Sequence, residues 1–563
     1  MNLKKQLLLA AQQVVLLASQ KKAKTKQALS VAKNAICREM GINTFPDALL
    51  VSAYETLVEN GTLSPVPDLQ RLLMKRGIRT LSGIAPISVL LPPGPCKSAC
   101  VYCPLERSDV GGKTLFHKDS EKKYGLQSIP KAFQKPSTIV MPKSYLSSEP
   151  GAMRALLSGF DPFLQISRRI AALRKTGHSA EKCELIVQGG TFSDYPKAVR
   201  TRFLTRCYAA FNGNARARSL SEEIRRNETA DCRVIGLTLE TRPGCITPEE
   251  IRDLRKLGCT RVEIGVQTLD DTITKTTKRL QTREEVVRAT ALLRQAGLKI
   301  CYHIMPGLPG STPEKDIEVY REVCENPDFC PDLVKIYPCS VVPFSELEKW
   351  HSSGKYVPYS EETLRNVLLE IKRLTPPWIR ISRLIRDIPG TAILGGSKTT
   401  NLRQLLQEEM RKDGKYCQCI RCREIRGGEY DPKQAKFVQR SYLVAGGMEH
   451  FLSMELADKT LLALLRLRIP GKTEKALFRA LANAGIVREL HTYGSAIPIG
   501  GESGGKPQHS GFGKRLLEEA EKICRAEKLQ AITVIAGVGA REYYRKLGFI
   551  DAETYVRKEF EKL

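Results

Sequence analysis

The chain has 563 residues, with 89 Lys and Arg against 61 Asp and Glu, a formal net charge of +28, and 17 cysteines. That length exceeds one compact domain and predicts two or three, at roughly 100 to 200 residues each. An odd cysteine count with several thiols at ligand spacings argues against a secreted disulfide framework and for metal binding in a reducing compartment, the cytoplasm. The positive excess implies a polyanionic partner, and its spread over several segments favours nucleic acid over a membrane anchor. No run of about eighteen apolar residues occurs, so no membrane span is expected. Met1 to Ser19 begins like a signal peptide, but Gln12 and Gln13 interrupt its apolar stretch and a lysine cluster follows.

The N-terminal stretch carries Lys21, Lys22, Lys24, Lys26, Lys33 and Arg38 among Ala, Val and Ile, then Arg71, Lys75, Arg76 and Arg79. This reads as a small helical, phosphate-contacting module over residues 1–80, although a charge run also suits a solvated helix face. Next comes Pro95-Cys96-Lys97-Ser98-Ala99-Cys100-Val101-Tyr102-Cys103-Pro104. Three thiolates at C-x3-C-x2-C spacing can hold three irons of a 4Fe-4S cluster and leave the fourth open for a substrate or cofactor. A structural zinc loop is the alternative, but zinc sites more often use paired C-x2-C spacings. The aromatic residue before the third cysteine resembles the radical S-adenosylmethionine enzymes, in which the open iron chelates the methionine moiety.

Residues 81–386 alternate apolar, β-rich runs with helical stretches such as Pro162 to Lys175 and Arg283 to Gln295, predicting parallel strands with crossover helices. The expected strands are Pro86 to Leu91, Cys183 to Gln188, Val234 to Leu239, Arg261 to Val266, Lys299 to Ile304 and Leu333 to Tyr337. Six of them make a partial TIM-like (β/α)6 barrel, whose chemistry belongs at the C-terminal strand ends. Candidate cofactor contacts there are Gly189, Gly190, Glu240 and Gln267; His303 ends the fifth strand, and Lys335 is a candidate catalytic group on the last.

Residues 387–440 form a basic linker holding Cys417, Cys419 and Cys422. Close thiols in a reducing cell suit a structural zinc, and Cys339, just past the last barrel strand, is the expected fourth ligand. Residues 441–563 read as a second α/β domain. Val487 to His491 and Ser495 to Ile499 look like strand, and a Gly-rich loop leads to Gln508-His509-Ser510-Gly511-Phe512-Gly513 at the start of an amphipathic helix. Free amides, the helix dipole and missing β-carbons let a pyrophosphate approach there. With the strand Ala531 to Ala536 and Glu542-Tyr543-Tyr544-Arg545, this pattern resembles the GNAT acetyltransferases.

A radical barrel joined through a cysteine-bearing linker to a GNAT domain resembles one family over nearly the whole chain: the catalytic subunit of the Elongator complex and its stand-alone archaeal and bacterial relatives. The resemblance is carried by Arg79-Thr80-Leu81-Ser82-Gly83-Ile84-Ala85, Ser148-Glu149-Pro150, Asp161-Pro162-Phe163-Leu164-Gln165, Gly189-Gly190-Thr191-Phe192, Leu239-Glu240-Thr241-Arg242-Pro243, Glu263-Ile264-Gly265-Val266-Gln267 and Val487-Arg488-Glu489-Leu490-His491-Thr492-Tyr493-Gly494, besides the cysteine loop. It implies carboxymethylation at C5 of the tRNA wobble uridine with acetyl-CoA and S-adenosylmethionine. Glu489, Leu490, Gln508, Gly511, Phe512 and Gly513 would hold acetyl-CoA, and Tyr543 and Tyr544 would act near the thioester. tRNA is the implied partner, with a homodimer or Elongator-like accessory subunits. Two other readings stay open: a protein lysine acetyltransferase using the GNAT domain alone, and a non-enzymatic RNA-binding subunit.

Overall fold

The computed structural model describes residues 3–73, 83–109, 138–426, 430–494 and 511–561. The expected basic residues Lys75, Arg76 and Arg79, the strand Ser495 to Ile499 and the candidate Gln508 lie outside these, and so does the side chain of Arg71.

Four helices, Leu3–Gln20, Lys26–Glu39, Ala48–Glu59 and Pro67–Leu73, pack about Ala10, Val14, Leu29, Leu50 and Tyr54. Thr25 accepts from the Ala28 amide (3.1 Å) and so caps the second helix. Lys21, Lys22 and Lys24 stand exposed in the turn before it, whereas Lys33 pairs with Asp47 at 2.7 Å.

Beyond this module, β1 (Ile84–Leu90) leads into a short ribbon of β2 (Arg107–Asp109) and β3 (Thr138–Val140). The barrel continues with β4 (Lys182–Gln188), β5 (Arg233–Thr241), β6 (Arg261–Gln267), β7 (Lys299–Ile304), β8 (Leu333–Ile336) and β9 (Arg380–Arg383). The sheet order is β1-β4-β5-β6-β7-β8-β9, every pair parallel. The six expected strands are all present, and β9 adds a seventh. The loops that leave β5 and β7 end on Thr247 and Thr312, whose hydroxyls each accept an amide of the next helix, and after β6 Asp270 caps a short helix (Asp271–Thr276) before Thr282 caps the longer one (Arg283–Gln295). This is the local reason those crossovers turn helical where they do.

A second sheet contains β10 (Lys436–Val444), β11 (Gly447–Glu455), β12 (Leu461–Ile469), β13 (Ala484–Thr492), β14 (Ala531–Val534), β15 (Ile550–Ala552) and β16 (Tyr555–Glu559), in the order β10-β11-β12-β13-β14-β16-β15. Its one parallel pair is β13 with β14, and the helix Phe512–Ala526 crosses between them. Because β10 begins at Lys436, the sheet starts inside the stretch read from sequence as linker.

The second sheet docks against the N-terminal ends of the barrel strands. Gly297, in the left-handed region (φ +70°), ends the helix before β7 and lies so close to Ile486 that a β-carbon would come within 2.7 Å of its Cγ2. Four arginines, Arg294, Arg466, Arg468 and Arg488, are fully buried at this seam with Asp332 and Glu449. Asp332 accepts from Arg294 (2.9 Å), Arg488 (2.5 and 3.0 Å) and the Ile300 amide (2.8 Å).

Candidate active site

The cysteine loop leaves the C-terminal end of β1. Gly189 (φ +130°) follows β4 so closely that a β-carbon would sit 2.8 Å from Leu91 Cβ, which accounts for glycine there. Cys100 is buried, and Cys96 and Cys103 are partly so. The Cys100 thiol is drawn down to about 5, first by a hydrogen bond from Cys103, against burial, and then by Arg279. Arg279 approaches Cys100 Sγ at 3.9 Å and Tyr102 Oη at 3.3 Å and also donates to the Gly265 carbonyl. Cys96 faces the Ser98 carbonyl at 3.8 Å, apart from that pair. Three soft thiols spread along one loop and backed by the Arg279 guanidinium fit a cluster whose cysteines bind three separate irons.

Beneath the loop, the barrel lumen is lined with charge. Glu240, at the end of β5, accepts from Tyr145 Oη (3.1 Å) and lies 3.5 Å from His303 Nδ1. The other imidazole nitrogen contacts Glu263 at 3.0 Å. Glu263 in turn takes the Lys335 ammonium. Burial opposes both charges, but each partner outweighs it: Glu263 is held well below the ordinary carboxylate range and Lys335 above the ordinary ammonium value. Lys335 is thus fixed within the lumen by an ion pair. Gln267 ends β6 in the left-handed region (φ +67°), and its Oε1 is buried without a partner among the described residues. An orphaned acceptor beside the loop suits a ligand donor.

In the second sheet, β13 carries a bulge: Arg466 pairs with Glu489 but Leu467 with Val487, so Arg488 is the extra residue. Since β14 pairs only with Ala484 to Val487, the later part of β13 splays away from it, and the splay opens at the start of the helix Phe512–Ala526. Gly511 there is left-handed (φ +72°), and no atom among the described residues lies within 4 Å of where its β-carbon would stand. A β-carbon on Gly513 would stand 3.4 Å from Tyr543 Oη, 3.8 Å from Thr492 Oγ1 and 3.9 Å from Leu490 Cδ2. Leu490, Gly513 and Tyr543 of the expected residues therefore converge, joined by Thr492, which sequence reasoning did not single out.

The two tyrosines part company. Tyr543 is 45% exposed, whereas Tyr544 is 6% exposed, packs edge-on to Phe549 and is pushed up by burial. Phe512 is likewise buried in the domain core. Glu489 turns to the barrel, bonding Arg466 (2.9 Å) and Lys299 (3.4 Å). His491, two residues on and hence on the same face, has a buried Nε2 without a partner among the described residues. Burial, ahead of any charge, lowers it to about 4, so its imidazole is neutral. The alternation Glu489, His491, Tyr493 was the available signal for it.

In the linker, the sulfurs of Cys417, Cys419 and Cys422 lie within 4.8 Å of one another. Gln407 Nε2 (3.3 Å) and the buried Lys372 ammonium (3.8 Å) approach Cys422, and hydrogen bonds from Cys417 and Cys419 pull its thiol well below the usual range. Three gathered thiols with a cationic shell fit a soft divalent ion. Cys339 does not join them. It packs with Cys100, Val101 and Tyr356 beyond the C-terminal end of β8, whereas the trio sits at the N-terminal end of β9, where the Ile420 amide donates to Ile379. The expected fourth ligand is corrected on that ground.

A half-barrel with a three-cysteine loop at its C-terminal face, joined to a splayed, bulged sheet with a glycine turn, defines a radical S-adenosylmethionine barrel fused to a GNAT acyltransferase domain. The Radical SAM superfamily profile matches residues 92–323, the radical SAM C-terminal domain 331–412 and the acetyltransferase (GNAT) domain 505–560. The chain is 40% identical over 518 residues to the tRNA uridine(34) acetyltransferase of Methanocaldococcus jannaschii, covering 90% of this chain and 89% of that one. It is 38% identical to human Elongator complex protein 3, over 89% of both chains. A solved structure of archaeal Methanocaldococcus infernus Elp3 lacking residues 1–46 superposes with a TM-score of 0.70 at 36% identity, covering 85% of this chain and 100% of that one. The chain belongs to the Elongator complex protein 3 family.

Proposed function

We propose that this protein is a tRNA carboxymethyluridine synthase, attaching a carboxymethyl group to C5 of the wobble uridine with acetyl-CoA and S-adenosylmethionine. The observation that carries the reading is the presence, in one chain, of a thiolate loop over a barrel lumen and a glycine turn in a splayed GNAT sheet, in a chain similar across 90% of its length to a protein named for uridine 34. C5 of uracil is a poor partner for ordinary acyl transfer, and a bound cluster with S-adenosylmethionine supplies the radical that carbon-carbon bond formation requires.

The chain's own groups then have distinct tasks. Cys96, Cys100 and Cys103 would ligate the cluster, with Arg279 stabilising the thiolate charge. Gly189, Gly190, Glu240 and Gln267 would offer polar atoms to S-adenosylmethionine, and His303 with Tyr145 fixes the Glu240 carboxylate. Gly511, Gly513, Leu490 and Thr492 would receive the acyl carrier, with Tyr543 at the mouth. Cys417, Cys419 and Cys422 would hold a structural zinc. The exposed lysines of the N-terminal module and the +28 charge would bind tRNA. The protein would work in the cytoplasm, as a homodimer or with Elongator-like accessory subunits.

The experiment compares two variants on purified tRNA, with wobble nucleosides read by mass spectrometry. Cys96, Cys100 and Cys103 replaced together by alanine should keep acetyl-CoA binding, lose cluster absorbance after anaerobic reconstitution and make no modified uridine. Gly513→Leu should lose acetyl-CoA binding and modification together. Full modification by the cysteine variant would refute the radical mechanism, and a wild type that modifies no uridine but acetylates a lysine peptide would leave the protein lysine acetyltransferase reading, which the positive charge disfavours because basic protein tails would be repelled.

A further inference from the structure

Between the turn after β7, Gly307 to Ser311, and the segment Trp350 to Tyr359 lies a cavity of about 230 Å³. Its lining residues Leu308 and Trp350 belong to the apolar cluster that also holds Cys100, Val101 and Tyr102, so it opens one side-chain layer from the cysteine loop. The walls are aromatic: Trp350, Tyr356 and Tyr359, with Lys355 Nζ 4.1 Å above the Trp350 ring. The turn is fastened in place. Tyr356 Oη donates to the Gly307 carbonyl (2.7 Å), and buried Asp316 accepts from the Gly307 amide (2.7 Å), Ser311 (2.6 Å) and Tyr359 (2.7 Å). At the rim Val357 is 74% exposed.

A rigid aromatic slot with a lysine on its ring, on a strongly basic chain, is the chemistry that holds single-stranded nucleic acid: a base stacks on the aromatic face and an ammonium takes the adjoining phosphate. We propose that this cavity receives one unstacked base of the RNA loop that presents the uridine to the barrel. The base replaces Lys355 on Trp350, and the released ammonium moves to the flanking phosphate. This rests on the tRNA reading above. It assigns Trp350 and Lys355 to positioning the loop, not to the chemistry.

The probe is a synthetic tRNA anticodon stem-loop titrated into the full chain, read by tryptophan emission and affinity. Emission should be quenched in the wild type and not in Trp350→Phe, since only one other tryptophan, Trp378, is present. Trp350→Leu should weaken binding by about 10-fold, within the roughly 5- to 150-fold expected for one lost base stack. Lys355→Met should reduce the log-log salt slope by about 0.7. One abasic position in the loop should weaken wild-type binding yet cost Trp350→Leu nothing further. Should Trp350→Leu fail to fold, the quench and the salt slope decide. Equal quenching in Trp350→Phe, or wild-type affinity and slope in both other variants, would overturn the proposal while leaving the tRNA reading intact. A wild type that binds no RNA would overturn that reading itself.

Discussion

Replacing Asp332 by asparagine tests whether the seam between the two sheets is held by its buried charges. Asp332 lies at 0% exposure and neutralises Arg294 and Arg488 through three guanidinium hydrogen bonds, with Arg466 3.5 Å away. An amide keeps the shape but leaves these guanidinium groups short of one full charge. Breaking a buried pair from one side costs about 3–5 kcal/mol, a large part of the roughly 5–15 kcal/mol of a typical domain. Trp378 reports on the seam, since its carbonyl accepts from Arg466 (2.7 Å) and its ring stacks on Tyr442 at 4.6 Å. Urea titration followed by tryptophan emission should therefore show an early transition in Asp332→Asn that the wild type lacks. Pairing Asp332→Leu with Arg488→Met should recover about 1 kcal/mol or more over the less stable single variant, because the uncompensated charge is then gone. The acid limb should also change. The folded carboxyl is held far below its ordinary value, so its stabilisation is complete above pH of about 4 and fades as pH falls below that; asparagine should flatten this limb. A variant within about 0.5 kcal/mol of the wild type, with an unchanged acid limb, would refute the reasoning.

Three further outcomes follow. His491, neutral in the fold with a pKa lowered to about 4 from 6.5, makes stability rise with pH between those values, because the unfolded chain binds its proton first; His491→Gln should remove that slope in thermal melts. Cys422→Ser should lower the zinc content of purified protein, measured by elemental analysis, and a chelator should destabilise the wild type more than this variant. Neutralising Lys21, Lys22, Lys24 and Lys26 together should weaken tRNA binding and flatten its salt dependence by about 0.7–0.9 per lost phosphate contact, as followed by filter binding at several salt concentrations.

The barrel was legible because its strands are apolar runs that alternate with helical stretches. β9 was not: Arg380-Ile381-Ser382-Arg383 buries one apolar side chain and reads as polar loop. The strands β10 to β12 escaped for a related reason. Leu461 to Ile469 is leucine-rich, and its Arg466 and Arg468 look like solvent-facing residues, yet both are buried at the seam. A sequence carries no mark of the Asp332 and Glu449 that await them from elsewhere in the chain. Cys339 misled for a topological reason, since nearness to the last predicted strand says nothing about which end of the barrel the linker returns to. The cysteine loop and glycine turn were legible because their chemistry is local, whereas Thr492 and His491 matter only through the splay of β13 from β14.

The docking geometry constrains how the two sites work together. The cysteine loop lies at the C-terminal ends of the barrel strands, while β13 meets the N-terminal ends through Lys299 to Glu489 and Arg488 to the Leu298 carbonyl. The seven residues of β6 separate these faces by roughly 20 Å at about 3.3 Å per residue. Rotation of one domain on the other would close such a gap cheaply if the seam were a wet, polar interface of the usual interdomain kind. Here it would strand the buried Arg466 and Arg488, whose partners Asp332 and the Trp378 and Leu298 carbonyls stay with the barrel, and would part Arg294 from Glu449. The lumen between the faces is itself filled by the Glu184, Arg261, Glu263, Lys335 and His303 network, with Arg261 2.5 Å from Glu184. The acyl sheet is therefore fixed relative to the radical face, and coupling between them has to be carried by movement of the bound molecules, not of the domains.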